Sequence, residues 1–191
     1  MVKNSFNIII AGVGGQGLIT LTQILAEAAL SEGYDVKTSE LHGLSQRGGS
    51  VETHIRFGKK IYSPLIDGKK ADLVISLETQ EGARKIPLSH SKTIFAVNND
   101  YVLYRGGFSR EKIEQKIKSL LKKRLYLIPA SEICKKELQN GVVSGVYLLG
   151  YCIFKKIIPL KANSILKAIK KIVPIKYLEL NKKAFNLVNR N

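Results

Sequence analysis

The sequence predicts an α/β fold, a Rossmann-like and mostly parallel sheet with an inserted β-hairpin and a helical C-terminal part. Three observations carry this expectation. An apolar run, Ile8 to Val13, stops in glycines and is followed by Leu18 to Leu30, which has helical length and composition. Strand-like and helix-like segments then alternate over about the first 130 residues. From Val142 the apolar positions fall at helical spacing nearly to the end. With 191 residues, 45% hydrophobic and 24% charged, the expectation is one globular domain, about 1–130 α/β and about 131–191 helical.

The first βα unit is the chemical centre. Gly12, Gly14 and Gly17 fit G-x-G-x-x-G between a strand and a helix, the context in which that pattern has meaning. On the dinucleotide precedent, Gly12 permits the tight turn, Gly14 lets a phosphate approach the backbone, and Gly17 lets the helix lie close to the strand. The unbonded N–H groups of the first helical turn favour an anion there. Gly15 adds freedom that packing alone does not require, and the Gln16 amide can bond a ligand or a neighbouring loop. The competing reading is a turn that packs helix on strand and binds nothing.

Glu32-Gly33 stops the first helix, and Asp35 to Glu40 supplies a second strand. Glu40 stands about 20 residues past the glycines, where a dinucleotide fold keeps its ribose carboxylate, so a nicotinamide- or flavin-dependent reductase stays open. A second glycine-rich loop, Leu41 to Ser50, follows at the same sheet edge. In it Arg47, flanked by Gly48 and Gly49, suits a phosphate or carboxylate. His42 can position an anion, and Ser45, Gln46 and Ser50 can add hydrogen bonds. A surface arginine on a plain loop is the alternative.

Ser50 to Phe57 alternates as a half-exposed strand and is expected to turn at Gly58-Lys59-Lys60 into Ile61-Tyr62-Ser63, forming the inserted hairpin. His54 falls on a face of that strand, and His90 in a polar loop. Asp72 to Leu77 is a buried strand, Glu78 to Lys85 a short helix and Thr93 to Val97 another strand. Ser109 caps a helix over 110–121 with Ile113, Ile117, Leu120 and Leu121 on one side. Leu125 to Ile128 is a strand ended by Pro129, and Ser131 starts the next helix. Helices are expected over 142–156, 161–172 and 175–188, punctuated by Pro159 and Pro174.

Composition narrows the function classes. The net charge is +16, but residues 1–100 hold 11 Lys+Arg against 10 Asp+Glu, and residues 101–191 hold 20 against 5. The basic residues are dispersed lysine pairs on helix faces with little aromatic interleaving, which argues against sequence-specific nucleic-acid binding and leaves an acidic partner open. Cys134 and Cys152 are isolated, so zinc, iron–sulfur and disulfide frameworks are unsupported. No metal site is expected. Met1 to Ser5 lacks a signal-peptide pattern and no apolar run reaches bilayer length, so the expectation is a cytoplasmic protein without membrane contact. No nucleophilic triad or carboxylate pair stands out, so the catalytic residues stay unknown at this level.

Gly12 to Gly17, the segment His42-Gly43-Leu44-Ser45-Gln46-Arg47-Gly48-Gly49-Ser50-Val51, Ser63-Pro64 and Asp72 together resemble the gamma domain of 2-oxoacid:ferredoxin oxidoreductases, and within it the beta subunit of the indolepyruvate branch. Tyr147 to Gly150 and Glu179 to Phe185 extend the resemblance over nearly the whole chain. Two departures are Ser144-Gly145, where relatives usually carry asparagine, and the tail after Phe185, which lacks their glycine.

The resemblance implies a cytoplasmic heteromer that oxidatively decarboxylates arylpyruvates, reduces ferredoxin and forms aryl-acetyl-coenzyme A. It places thiamine diphosphate and the iron–sulfur clusters on a larger partner subunit and associates this chain with coenzyme A, through Gly12, Gly14, Gly15, Gln16, Gly17, His42, Ser45, Gln46, Arg47, Gly48, Gly49 and Ser50. This chain is not expected to be active alone. The gamma subunit of a pyruvate or other 2-oxoacid oxidoreductase and a non-catalytic assembly subunit remain open.

Overall fold

The structure is a computed structural model and describes residues 5–43, 48–102 and 108–190. β1 (Ser5–Val13) is buried along nearly its whole length, as its unbroken isoleucine run requires, since a strand covered on both faces has no solvent side for polar residues. It lies third in a six-stranded sheet, order β2-β3-β1-β4-β5-β6. β4 (Ala71–Ser76), β5 (Ser89–Asn98) and β6 (Leu125–Ile128) extend it in parallel. β2 (Asp35–His42) and β3 (Ser50–Gly58) form the other side, β3 antiparallel to both β1 and β2.

This pairing corrects the expected hairpin. Ile61, Tyr62 and Ser63 form no strand; β3 pairs instead with β2 and inserts between β2 and β1. The segment after β3 is a strap held across the sheet by polar side chains. Arg56 donates to the carbonyls of Ser63 and Leu65, Ile61 N–H donates to Asp35, and Ile66 N–H donates to His54 Nδ1 at 2.9 Å. With its backbone groups taken by side chains, the strap has no need of a strand partner.

Alternation along β1 sends Ile8 and Ile10 to one face and Ile9 to the other. On the first face they meet α1 (Leu18–Ser31) and the C-terminal helices α4 (Ala130–Leu138), α5 (Ser144–Phe154), α6 (Ala162–Ile172) and α7 (Ile175–Asn186), in the larger core. On the second face Ile9, Val74, Phe95 and Val97 meet Ile117 and Leu121 of α3 (Arg110–Leu121) and Ile66 of the strap. The short α2 (Thr79–Arg84) lies beside this second cluster through Ala83. The result is three layers, with the carboxyl ends of β1, β4, β5 and β6 opening at one edge.

Several boundaries differ by a residue or two for identifiable reasons. Gly33, with φ +82°, closes α1: its N–H reaches Leu30 O, and Tyr34 N–H reaches Ala29 O. Glu78 and Ser109 cap α2 and α3 through their side chains. α4 begins at Ala130 after Pro129, because the Ser131 hydroxyl is bound to Asp100 and Asn98. On α3, Ile113, Ile117 and Leu121 are buried while Leu120 is exposed. His90 belongs to β5, where its Nδ1 accepts Lys92 N–H. No helix among the described residues is long and apolar enough to cross a membrane.

Candidate functional site

The glycine turn closes on itself. Val13 N–H donates to Gln16 Oε1 at 2.8 Å, and Gln16 N–H donates to Val13 O at 3.1 Å. The Gln16 oxygen therefore belongs to the turn, and its amide nitrogen faces outward. A side chain on Gly12 would put a Cβ 2.6 Å from that oxygen and 3.2 Å from Leu77 Cβ. Gly12 is thus required by close packing. Gly15 and Gly17 are required by backbone angle, at φ +102° and +82°, with open space around both. The expected division of labour is reversed: Gly12 provides the close approach and Gly17 the unusual angle.

Gly17 is the N-cap of α1, no side chain caps the helix, and its first turn holds no acidic residue. Leu21 N–H bonds Gly17 O at 3.1 Å. The N–H groups of Leu18, Ile19 and Thr20 precede the first intrahelical bond, so this end carries the partial positive charge of an open helix terminus.

The second loop comes to the first. Beyond the last strand pair, Val13 with Ser50, Gly14 N–H donates to Gly49 O at 2.9 Å and Gly48 N–H to Gly14 O at 3.4 Å. Gly14 therefore spends its backbone groups on the neighbouring loop. Ser45, Gln46 and Arg47 lie outside the described residues. The Ser50 hydroxyl donates to Glu81 Oε2 at 2.6 Å, which directs it toward α2. His42 ends β2, exposed, its Nδ1 3.1 Å from Gly43 O. β2 continues two residues past the expected end, so Glu40 lies inside the strand.

A hollow of about 430 Å³ joins these parts, bounded by Gly14, Gly15, Gly17 and Thr20 on one side and by Glu40, His42 and Val51 on the other. Its chemistry is mixed: an uncapped helix end that favours an anion, an imidazole, and a carboxylate suited to hydroxyl groups. A second hollow of about 500 Å³ lies on the other side of the same turn, between Gln16, Thr20, Val143 and Tyr177.

Polar groups that the motif reading passed over support this edge. Glu52, His54 and Arg56 alternate along β3, so all three face the strap side. Glu52 bonds His54 Nε2 and Lys85 Nζ. Burial pushes its carboxyl up, but the hydrogen bonds and charges of His54 and Lys85 outweigh burial and hold it at about 2. His54 accepts at Nδ1 and so donates at Nε2, which fixes the ring. Glu78 is fully buried and accepts N–H bonds from Glu81 and Val102; burial raises its carboxyl pKa, with nearby Glu81 adding to the effect. Glu81 is also buried, its Oε1 without a hydrogen bond but 3.5 Å from Arg84 Nε. The period-two polar pattern of β3 was the available signal for Glu52; nothing local marks Glu78 or Glu81 as buried.

Cys134 and Cys152 are buried on α4 and α5, and burial pushes their thiols up to about 11 and about 12. They stand on separate helices and form no disulfide. Among the described residues no three His, Cys, Asp or Glu side chains gather as metal ligands.

Comparison with known proteins fits this architecture. The IorB subunits of indolepyruvate oxidoreductase from Pyrococcus horikoshii and Archaeoglobus fulgidus are 34% and 35% identical to the chain, each over 95% of it and over 93% and 92% of their own lengths. The pyruvate oxidoreductase subunit PORC of Thermotoga maritima superposes with TM-score 0.70 at 22% identity, covering 99% of this chain and 97% of that one. The 2-oxoglutarate:ferredoxin oxidoreductase of Magnetococcus marinus, solved with coenzyme A bound, superposes with TM-score 0.75 at 20% identity over 98% of this chain and 31% of that longer one. With residues 7–189 matched by the family described as pyruvate ferredoxin/flavodoxin oxidoreductase, and with relatives of this identity over nearly its full length, the chain belongs to that family.

Proposed function

We propose that the chain is the coenzyme A-binding subunit of an aryl 2-oxoacid oxidoreductase, acting with a larger subunit that carries thiamine diphosphate and iron–sulfur clusters and passes electrons to ferredoxin. The complex converts an arylpyruvate to the aryl-acetyl thioester. The observation that carries the reading is the uncapped N-terminus of α1, opening on a hollow bounded by Glu40 and His42. A diphosphate suits the helix end, and a ribose hydroxyl suits the carboxylate. Arg47 is assigned the remaining phosphate on chemical grounds. When bound, the partner's cofactors supply the redox chemistry, and this chain orients the thiol-bearing substrate.

The nicotinamide reading is weakened by topology, because β3 stands between β1 and β2 and moves Glu40 one strand away from its usual place. An assembly role has one observation in its favour, the engagement of Gly14 with Gly48 and Gly49.

The test is steady-state turnover of the assembled complex with indolepyruvate, pyruvate, 2-oxoglutarate and a branched-chain 2-oxoacid, varying coenzyme A. Indolepyruvate is expected to give the highest kcat/KM. Arg47→Ala is expected to raise KM for coenzyme A about 10-fold or more with kcat little changed. Loss of assembly with an unchanged KM would favour the interface role, and tight NADH binding with no response to coenzyme A would reject the proposal.

A further inference from the structure

We propose that the 500 Å³ hollow on the other side of the glycine turn, between α5 and α7, is an anchor pocket for an apolar side chain of the larger partner subunit, presented on an acidic surface. The proposal rests on the subunit reading above, and its test does not use coenzyme A.

The pocket has the build of an interface hot spot. Its wall is apolar, through Leu21, Val143, Val146 and Val173. Around its mouth stand large apolar side chains left in water. Val142 is 79% exposed, and Ile175 is 91% exposed between the lining residues Pro174 and Tyr177. Tyr177 is itself half-exposed and held by Lys176, whose Nζ lies 4.7 Å from the ring centroid. Exposed apolar groups gathered around a concave apolar site mark a protein contact.

The arrangement selects the occupant. A small molecule seated in the hollow leaves Ile175 wet, because Ile175 lies outside the lining beside Pro174; only another surface covers it. The lip from Lys170 to Leu178 carries Lys170 and Lys176, with Lys171 paired to Glu27 at 2.7 Å, and no acidic residue of its own. A second copy of this chain would bring like charges together, whereas an acidic face is attracted. Gln16 and Thr20 also line the pocket, so a docked side chain touches the turn that forms the other hollow. Assembly and ligand binding then share the N-terminus of α1.

The experiment is co-expression with the natural larger subunit and measurement of association by biolayer interferometry, using the full chain. The double variant Val142→Asp/Ile175→Asp is expected to weaken association about 100-fold, while its melting temperature stays that of the wild type because both side chains are exposed. Lys170→Glu/Lys176→Glu is expected to slow association about 10-fold. Tyr62→Asp, 82% exposed on the strap at the opposite face of the sheet, should change nothing. Wild-type affinity in the double aspartate variant would overturn the proposal. So would a dimer of the isolated chain that the variant dissolves.

Discussion

Gly14 N–H donates to Gly49 O at 2.9 Å, which extends the β1–β3 pairing past the last strand residues and brings two glycine loops into one structure. Residues far apart in sequence thereby share the edge on which α1 begins. The first loop is closed by its own Gln16, and the second is delivered by β3. Gly48 and Gly49 are thus joined through Gly14 to the sheet beneath, while the end of α1 stays uncapped by any side chain.

Gly12→Ala tests the packing of that rim. Its Cβ meets Gln16 Oε1 at 2.6 Å and Leu77 Cβ at 3.2 Å, so the turn must open or the side chains move. The expected cost is about 1–3 kcal/mol in urea unfolding. Gly15→Ala meets nothing but must adopt φ +102°, which costs about 1 kcal/mol. Equal effects of the two would refute the separation of roles.

The pH dependence of stability tests the Glu52 cluster. Its carboxyl lies at about 2 in the fold against 4.5 for the ordinary group. A lowered folded pKa gives stability that is fully present above pH 4.5 and is lost as the pH falls from 4.5 toward 2. Glu52→Gln should flatten that part of the curve of melting temperature against pH. A variant curve parallel to the wild type between pH 5 and 2 would show that Glu52 does not carry the effect.

The strap can be loosened at one residue. Arg56 bonds Asn7 Oδ1 and the carbonyls of Ser63 and Leu65, so Arg56→Ala leaves three acceptors to water. A loss of about 1–2 kcal/mol is expected, since hydrogen bonds to a charged donor are the stronger kind. Protease cleavage between 59 and 70 should quicken more than cleavage elsewhere.

Much of this was legible in the sequence because it depends on local chemistry. The isoleucines of β1, the glycines after them and the cap Ser109 specify their own surroundings, and Leu125 to Ile128 forms the expected strand. What was not legible depends on partners distant in the chain. Ile61 to Ser63 has strand character, yet Asp35 takes the Ile61 N–H and Arg56 the Ser63 carbonyl, and no pairing follows. The insertion of β3 between β1 and β2 is a matter of topology that alternation cannot reveal. In the site, the glycine motif announced an open helix end, but the engagement of Gly14 with Gly49 required both loops in place.

The thiols give a test of the helical layer. Cys134 and Cys152 are buried, with pKa values pushed up to about 11 and about 12, so at pH 8 neither offers appreciable thiolate. Native protein should leave Ellman's reagent unreacted over minutes, and both thiols should react after unfolding in urea. Fast reaction of one thiol in native protein would show that the α4–α5 layer opens.

Among the described glycines, the tightest contact is that of Gly150 on α5 with the end of α7. A Cβ on Gly150 would lie 2.3 Å from the carbonyl oxygen of Phe185 and 3.2 Å from its carbonyl carbon. The obstacle is backbone, so no rotamer change relieves it, and α5 must separate from α7. The Phe185 side chain, fully buried and 5.2 Å from the Phe154 ring, would lose its seat as the helices part. Gly150→Ala is therefore expected to cost more than about 3 kcal/mol and to lower the melting temperature more than Gly12→Ala. Gly145→Ala is the control: its nearest neighbour, at 2.7 Å, is the Leu21 Cδ1 methyl, which can rotate away. If both alanine variants melt together, α7 is not seated on the backbone of α5, and the glycine in Tyr147 to Gly150 must be explained in another way.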